Sequence, residues 1–239
     1  MRISKLLSLS IALGIFSVSH NGLASTDQLN SAQAQNTKAH AQKTNILSPI
    51  GYWLQYSDKT DKAQSVFQVY QDSKSGKIEG KILVPFFKVV DGEVTPPDIN
   101  CQKCGKGSDN GYTYDYTKTP DSRVQGMKIL WGFTKTDDEP SKGDGVEWDD
   151  GSLLDPESGH VYSGYLYTQN WGRELYLRGY WGISLIGRTQ VWRRITKQDA
   201  DRLVKQCGLV SDGTHYTYTN KGGKVDNEKL WQSCKNIKL

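Results

Sequence analysis

The chain has 239 residues with a mean hydropathy of −0.63 and a formal net charge of +4 at pH 7. This length provides for one or two domains, and the 36% of hydrophobic residues excludes a wholly disordered chain. The 24 glycines, seven tryptophans and 13 tyrosines favour a β-rich protein with many turns over a helical bundle.

Residues 1–24 have the pattern of a secretory signal peptide. Arg2 and Lys5 precede an apolar run at 6–18, and a small-x-small cleavage site follows at 22–24. A run of about 13 apolar residues is too short to span a bilayer, so no transmembrane span is expected after cleavage. Cleavage lowers the net charge to +2, which argues against nucleic-acid binding. We therefore expect a periplasmic or secreted protein.

Residues 25–46 are rich in Gln, Ala, Ser and Thr and have almost no apolar periodicity. This composition is typical of a flexible segment that cannot build a core. The sequence therefore predicts a flexible leader here. The alternative is a tether that attaches the following domain to a membrane or a partner.

Residues 47–195 are predicted to form one β domain, because short alternating apolar and polar segments are separated by turn residues. The clearest predicted strands are 65–71, 77–87, 127–135, 160–168, 174–182 and 188–194. Close strands joined by tight turns imply antiparallel up-and-down pairing. Seven or eight such strands fit a small closed barrel better than a sandwich. The connection at 91–124 is long, and a loop of that length is rare unless a contact pins it or a function uses it.

After Ile195 the apolar period becomes helical, which predicts a small α-rich appendage at 196–239. Thr196 begins a motif like a capping box, and Gly208 is a plausible end of this first helix. A second helix is predicted at 226–237, and a small hairpin at 215–224 is expected between the two.

All four cysteines follow the predicted cleavage site, and an even number in an oxidising compartment favours disulfides. Cys207 and Cys234 each lie on the apolar face of a predicted helix, so we expect a bridge that stabilises the tail by about 3 kcal/mol. Cys101 and Cys104 form a C-x-x-C motif within the long loop. A structural disulfide is favoured for this pair, while redox activity and a metal site completed by the other two cysteines are the alternatives.

Five segments carry a resemblance to a known family. They are Gly51-Tyr52-Trp53, "CQKC" at 101–104, "MKILW" at 127–131, "GSLLDPESGHVY" at 151–162 and "RGYWGISLIGRTQVWRR" at 178–194. Together they resemble a family of exported bacterial proteins of unknown function with a lipocalin-like, or calycin, barrel. The resemblance implies a mainly β fold with an antiparallel up-and-down barrel, and it implies no activity. The tail and much of 106–123 depart from the family pattern.

The resemblance also implies how one end of the barrel is closed. Lipocalin-like barrels lay the tryptophan of an early Gly-x-Trp motif against an arginine of the last strand, which gives a cation–π contact. Here the tryptophan is Trp53. Trp192 and Arg194 share one face of the last strand by period two, whereas Arg193 points away, so we expect Arg194 to be the partner. Arg188 is the fallback, and the alternative for the tryptophan is an ordinary core position.

Catalytic and metal signals are weak. The acidic stretch at 137–151 could offer oxygen ligands to calcium, but the EF-hand spacing is missing and its glycines and proline indicate a solvated turn. No G-x-S-x-G or H-E-x-x-H motif occurs, and the four histidines are scattered. We therefore expect a protein that is not an enzyme and has no metal or cofactor. The histidines are His20, His40, His160 and His215.

The interior of the predicted barrel sets the functional hypotheses. Its strands carry Trp131, Tyr162, Tyr165, Tyr167, Tyr176, Tyr180, Trp181 and Trp192. Half of these are expected to face inward, where a small barrel either fills itself or leaves a pocket for one apolar ligand. The apolar "ISLI" turn at 183–186 is expected to fold over a barrel end or to mark a contact surface.

The leading hypothesis is a non-catalytic exported protein that binds a small hydrophobic molecule in the barrel. One alternative is an interaction or structural protein of the cell envelope, with a filled barrel and an envelope protein as its partner. The other is a thiol-active protein that uses Cys101 and Cys104.

Overall fold

The computed structural model describes residues 47–136, 142–182 and 187–239. The predicted signal peptide (1–24), the leader (25–46) and the "ISLI" turn (183–186) lie outside the described residues. The strands are β1 (Gly51–Tyr56), β2 (Ala63–Gln71), β3 (Ile78–Pro85), β4 (Lys88–Val90), β5 (Glu93–Thr95), β6 (Lys106–Asp109), β7 (Tyr112–Asp115), β8 (Lys128–Lys135), β9 (Trp148–Leu154), β10 (Val161–Gln169), β11 (Glu174–Tyr180) and β12 (Gly187–Ile195). The helices are α1 (Lys197–Cys207) and α2 (Glu228–Lys235).

Eight strands close into an antiparallel barrel in the order β1-β12-β11-β10-β9-β8-β3-β2. Each strand of the barrel pairs with the previous and the next barrel strand along the chain, and β12 returns to pair with β1. The prediction of a mainly β fold with an antiparallel up-and-down barrel and a small helical appendage is confirmed. Closure leaves no open sheet edge, so the backbone groups of both terminal strands are paired.

The alternation of β2 shows why the sheet curls around one core. Phe67 and Val69 point inward and pack with the interior cluster, whereas Val66 points outward and is buried beneath the tail. This strand is therefore apolar on both faces, because the barrel lies on one side and the helices on the other.

Strand β9 was not expected from the sequence. The acidic stretch was interpreted as a solvated turn through residue 151, but Trp148 begins a strand that pairs with both β8 and β10. Trp148 is 8% exposed, and Asp150 adopts a positive φ of 57° within the strand. The buried tryptophan, rather than the surrounding acids, decides the conformation of this segment.

The long connection between β3 and β8 contains two small hairpins, β4–β5 and β6–β7. The second hairpin covers the outer face of β8. The Trp131 indole N–H donates to the Asp109 carbonyl at 3.0 Å, and the rings of Tyr112 and Tyr114 lie 5.3 and 5.5 Å from the Trp131 ring. The connection is therefore not a structureless loop, because its second hairpin covers the outward-pointing side chain of Trp131.

The tail packs against the outer face of β1, β2 and β3. Thr196 caps α1 by accepting a hydrogen bond from the Asp199 backbone N–H at 3.0 Å. Ala200, Leu203 and Cys207 of α1 are buried and pack with outward-pointing apolar residues of the three strands. Those residues are Leu54, Val66 and Val84.

The segment between the helices is anchored by tyrosines and is not the predicted hairpin. At 215–224 the described backbone makes single β-bridges and no strand pair. Tyr216 and Tyr218 are fully buried, and their hydroxyls donate to the carbonyls of Asp98 at 3.0 Å and Phe86 at 3.1 Å. The alternating tyrosines resemble a strand in sequence, but they hold the tail to the barrel.

Alkaline pH should weaken this tyrosine-anchored tail. Burial raises the pKa of Tyr216 and Tyr218 well above the usual 10.0. Above about pH 10 the unfolded chain loses these protons first, so the free energy of unfolding should fall by about 1.4 kcal/mol per pH unit per group. Urea unfolding between about pH 9 and about pH 11 measures this slope. A Tyr218→Phe variant should lose stability less steeply, and a parallel profile would contradict the assignment.

The two disulfides should contribute unequally. The Cys207–Cys234 bridge spans 27 residues and the Cys101–Cys104 bridge spans three. Loop-closure entropy predicts a loss of about 3–4 kcal/mol when the first pair is replaced by alanine and about 2 kcal/mol for the second. Urea denaturation of the two double variants under oxidising conditions compares them, and a larger loss for the shorter loop would overturn this account.

Candidate functional site

One end of the barrel is closed by Arg194 and Trp53, which are direct cross-strand neighbours on β12 and β1. The Arg194 guanidinium lies 4.1 Å from the centroid of the Trp53 ring, and Trp53 is fully buried. The indole N–H donates to the Pro49 carbonyl at 2.9 Å. The predicted pair is therefore brought together, in a geometry that combines a cation–π contact with a satisfied indole N–H.

The same guanidinium binds the backbone at three points around the closed end. Arg194 Nε donates to the Gly172 carbonyl at 2.6 Å, Nη1 donates to the Ile50 carbonyl at 2.9 Å, and Nη2 donates to the Ser48 carbonyl. These carbonyls belong to the β10–β11 turn and to the segment that leads into β1. One side chain thus ties two parts of the chain that are far apart in sequence.

Burial has a visible electrostatic cost at this position. Desolvation lowers the pKa of Arg194 to about 10, so the side chain is still charged at neutral pH. The Gly51 backbone has a φ of +148°, and a Cβ there would lie 2.5 Å from Arg194 Nη1. Glycine is required in the Gly-x-Trp motif because the guanidinium passes directly over its backbone.

Arg188, the fallback partner, lies at the opposite end of the barrel. It is exposed and forms an ion pair with Asp58 of the β1–β2 turn. Arg193 also points away from the interior, and its guanidinium lies 4.8 Å from the ring centroid of Tyr56. The three arginines of β12 therefore lie in different places. Arg194 lies at the closed end of the barrel, Arg193 on its outer face and Arg188 at the open end.

The interior of the barrel contains a cavity of about 660 Å³. Phe67 and Trp192 stack at 4.1 Å with their rings 10° from parallel, and both line the cavity. The other apolar lining residues include Ile82, Phe87, Val124, Ile129, Leu130, Leu153, Leu154 and Leu177. This volume and lining are typical of sites that enclose one small organic ligand.

The mouth of the cavity is formed by turns that carry paired charges. Lys59 and Glu157 approach to 3.5 Å, and Lys88 and Asp98 to 2.7 Å. With the pair of Arg188 and Asp58, the three cations among the described lining residues each have a carboxylate partner. The described residues that line the cavity all precede the tail, and the two helices lie on the outer wall of the barrel.

The aromatic residues of the strands are divided between the two faces. Trp192, Tyr162 and Trp181 line the cavity. Tyr180 also borders it, but it alternates with Leu177 and Gly179, and its ring lies 6.4 Å from that of Tyr165 on the outer face. Trp131 is buried beneath the β6–β7 hairpin on the outside of the barrel. The outer face of β10 and β11 carries the remaining rings in contact with one another, with centroids 5.3–6.2 Å apart; these are Tyr165, Tyr167 and Tyr176.

Cys101 and Cys104 form a disulfide within the long connection, which packs there against the β9–β10 turn. The Cys101 backbone N–H donates to the Ser122 carbonyl at 2.7 Å, and Cys101 Sγ lies 3.3 Å from the Pro156 carbonyl oxygen in the β9–β10 turn. The two cysteines are 8% and 7% exposed and lie in irregular backbone. Neither has the exposed position at a helix N-terminus that activates redox-active thiols.

The described residues support neither of the two metal sites considered from the sequence, a four-cysteine site and a calcium site in the acidic stretch. Cys207 is bonded to Cys234 in the tail and cannot complete a four-cysteine site with the first pair. Among residues 47–136, 142–182 and 187–239, no group of three or more His, Cys, Asp or Glu side chains is arranged to hold a metal ion. Residues 137–141 of the acidic stretch lie outside this description.

The barrel region matches the sequence pattern of a bacterial family described as "Uncharacterized protein conserved in bacteria", DUF2147, over residues 51–194. The chain belongs to this family. The match begins at the Gly-x-Trp motif and ends at Arg194, so its limits coincide with the two strands that the closing contact joins. The tail lies outside the family region.

A comparison with solved structures finds protein HP1028 from Helicobacter pylori, which is described as belonging to the lipocalin family. The similarity covers 65% of this chain and 88% of that chain, with 12% sequence identity and a TM-score of 0.43. A likeness at this level bears on the fold alone. No curated protein matches the chain. Among the described residues, no helix has the length and apolar character that a membrane crossing requires.

Replacing Arg194 by alanine should lower the melting temperature by several degrees, because three backbone carbonyls and the Trp53 ring lose their partner. The expected loss is about 2–4 kcal/mol. Arg193→Ala is the matched control, since the neighbouring arginine lies on the exposed face and should change stability by less than about 0.5 kcal/mol. Thermal unfolding of both variants tests this closure, and equal losses would contradict it.

Proposed function

We propose that the protein is a non-catalytic, exported binding protein that holds one small hydrophobic molecule inside its barrel. The observation that carries the proposal is the apolar cavity of about 660 Å³, which opens at the end opposite Arg194 and Trp53. A cavity of this size lined by aliphatic and aromatic side chains gains free energy when an apolar ligand displaces its water.

The construction of the barrel supports a preformed site. Arg194 fixes the closed end to the backbone, while the tail and the β6–β7 hairpin support the wall from outside. A wall that is supported from outside and closed at one end is expected to keep its shape without ligand, so less conformational entropy is lost on binding. The cavity argues against the filled barrel that the envelope-protein alternative predicts.

Export is supported by the chemistry of the cysteines together with the leader sequence. All four cysteines are paired in two disulfides. Such pairs persist in the periplasm or outside the cell and are rare in the bacterial cytoplasm. The first 24 residues have the pattern of a signal peptide, which is the route that such a protein requires.

A binding role is favoured over catalysis by the composition of the cavity. The described lining contains no histidine and no cysteine, and its carboxylates stand at the mouth. Asp58, Asp98 and Glu157 are engaged in ion pairs, while Asp155 accepts hydrogen bonds within its own turn from the Glu157 N–H and the Ser158 hydroxyl. Acid–base chemistry needs a titratable group within reach of the substrate's interior atoms, and none of these is so placed.

The thiol-active alternative is less well supported. A thiol exchange reaction requires a thiolate to reach one sulfur of the disulfide. Both sulfurs of the Cys101–Cys104 pair are buried between the long connection and the β9–β10 turn. The disulfide more simply accounts for the position of the connection at the cavity mouth.

Filling the cavity should abolish binding without unfolding the barrel. Leu153 lines the cavity and is only partly buried, so Leu153→Trp should place the larger ring in the space that a ligand needs. We expect the affinity for the neutral fluorescent probe N-phenylnaphthylamine to fall by at least about tenfold. Fluorescence titration measures the affinity.

The matched control is Val191→Trp, which adds the same ring on the exposed outer face of β12. It should bind the probe as the unmodified protein does, and both variants should melt within a few degrees of it. If the unmodified protein does not bind the probe, or if Leu153→Trp binds it equally well, the proposed site is wrong.

A further inference from the structure

The wall of the cavity is not uniformly apolar. On β1, Gln55 lines the cavity and stands directly opposite Ser65 of β2 on one side and Trp192 of β12 on the other. Gln190 lies two residues before Trp192 on the same face of β12. Adjacent strands are separated by about 5 Å, so these side chains form one continuous polar strip across three strands. We call Gln55, Ser65 and Gln190 the polar strip.

The orientation of the Gln190 amide is set by its neighbour. The Trp192 indole N–H donates to Gln190 Oε1 at 3.0 Å. Because an indole can only donate, the amide must present its oxygen to the ring and keep both N–H donors for other partners. No described residue accepts a hydrogen bond from these donors.

The other two members of the polar strip, Ser65 and Gln55, also have hydrogen-bonding groups that no described residue uses. Ser65 is 7% exposed, and the residual surface lies toward the cavity that it lines. Within the described ranges, neither the Ser65 hydroxyl nor the Gln55 amide makes a side-chain hydrogen bond to another residue. Ser65 is buried and the two glutamines are partly buried, and all three line one cavity, so its contents can supply their hydrogen-bond partners.

The charges around the cavity argue against an anionic ligand. Lys59, Lys88 and Arg188 stand at the mouth, and each already pairs with a carboxylate. An anionic headgroup would have to displace one of these carboxylates or enter the interior with no cation beside it. Burying an unpaired carboxylate is strongly unfavourable.

We infer that the cavity selects an uncharged amphiphile. Its apolar body packs against the aliphatic wall, and a neutral oxygen such as that of an amide, ester or hydroxyl group accepts hydrogen bonds from the polar strip. This inference rests on the proposed function and adds to it the chemical class of the ligand. The carboxylate form of a fatty acid, with the same chain and a charged end, is the class that the cavity rejects.

Displacement of N-phenylnaphthylamine by dodecanamide, dodecanol and laurate tests the inference at neutral pH, where laurate is ionised. The three compounds share a chain length and differ in the polar end. Dodecanamide and dodecanol should each displace the probe at concentrations about tenfold lower than laurate. Equal or stronger displacement by laurate would overturn the inference while leaving the proposed function in place.

Replacing two residues of the polar strip is a second test of the inference. The double variant Gln55→Leu, Ser65→Ala should weaken binding of dodecanamide by about tenfold and change the affinity for N-phenylnaphthylamine by less than about twofold. Retained probe binding shows that the variant is folded. Gln68→Leu, on the opposite face of β2, is the matched control and should change neither affinity.

The outcomes separate the two proposals. If the double variant binds dodecanamide as tightly as the unmodified protein does, the polar strip does not recognise the ligand and the inference is wrong. If N-phenylnaphthylamine and all three amphiphiles fail to bind the unmodified protein, the proposed function is wrong and the inference falls with it.

Discussion

The contact between Arg194 and Trp53 is the constraint on which the barrel depends. It joins the first and last strands at the point where they pair, and it places the only charged side chain of the contact over an indole and among backbone carbonyls. The desolvation that lowers the pKa of Arg194 is offset by these partners. Closing one end in this way leaves the other end open, so the same contact determines where a ligand can enter.

Support from outside allows the interior to remain partly empty. Outward-pointing residues of β1, β2 and β3 are buried by the tail, and Trp131 is buried by the β6–β7 hairpin. Part of the apolar free energy of folding is therefore gained on the outer surface, in addition to that gained in the barrel core. A small barrel without such layers would have to fill its interior with side chains to be stable, and a cavity would be costly.

The alternation of apolar residues, a local signal, was sufficient to predict the barrel and the helical tail, and the family resemblance pointed to the residues of the closing contact. The prediction failed at Trp148, where acidic neighbours concealed a strand, and at Tyr216 and Tyr218, whose spacing imitates one. The polar strip was missed altogether. Gln55 and Ser65 are ordinary strand residues in sequence, and only the register between β1 and β2 shows that they face the same cavity.

The position of the tail has a mechanical consequence. Strand β1 is held on its outer face by a disulfide-bonded pair of helices and at its closed end by Arg194, so the seam with β12 is reinforced from both sides. Peeling the first strand from the last would break both attachments at once. Under the proposed function, a ligand would therefore exchange through the mouth and not by opening of the wall.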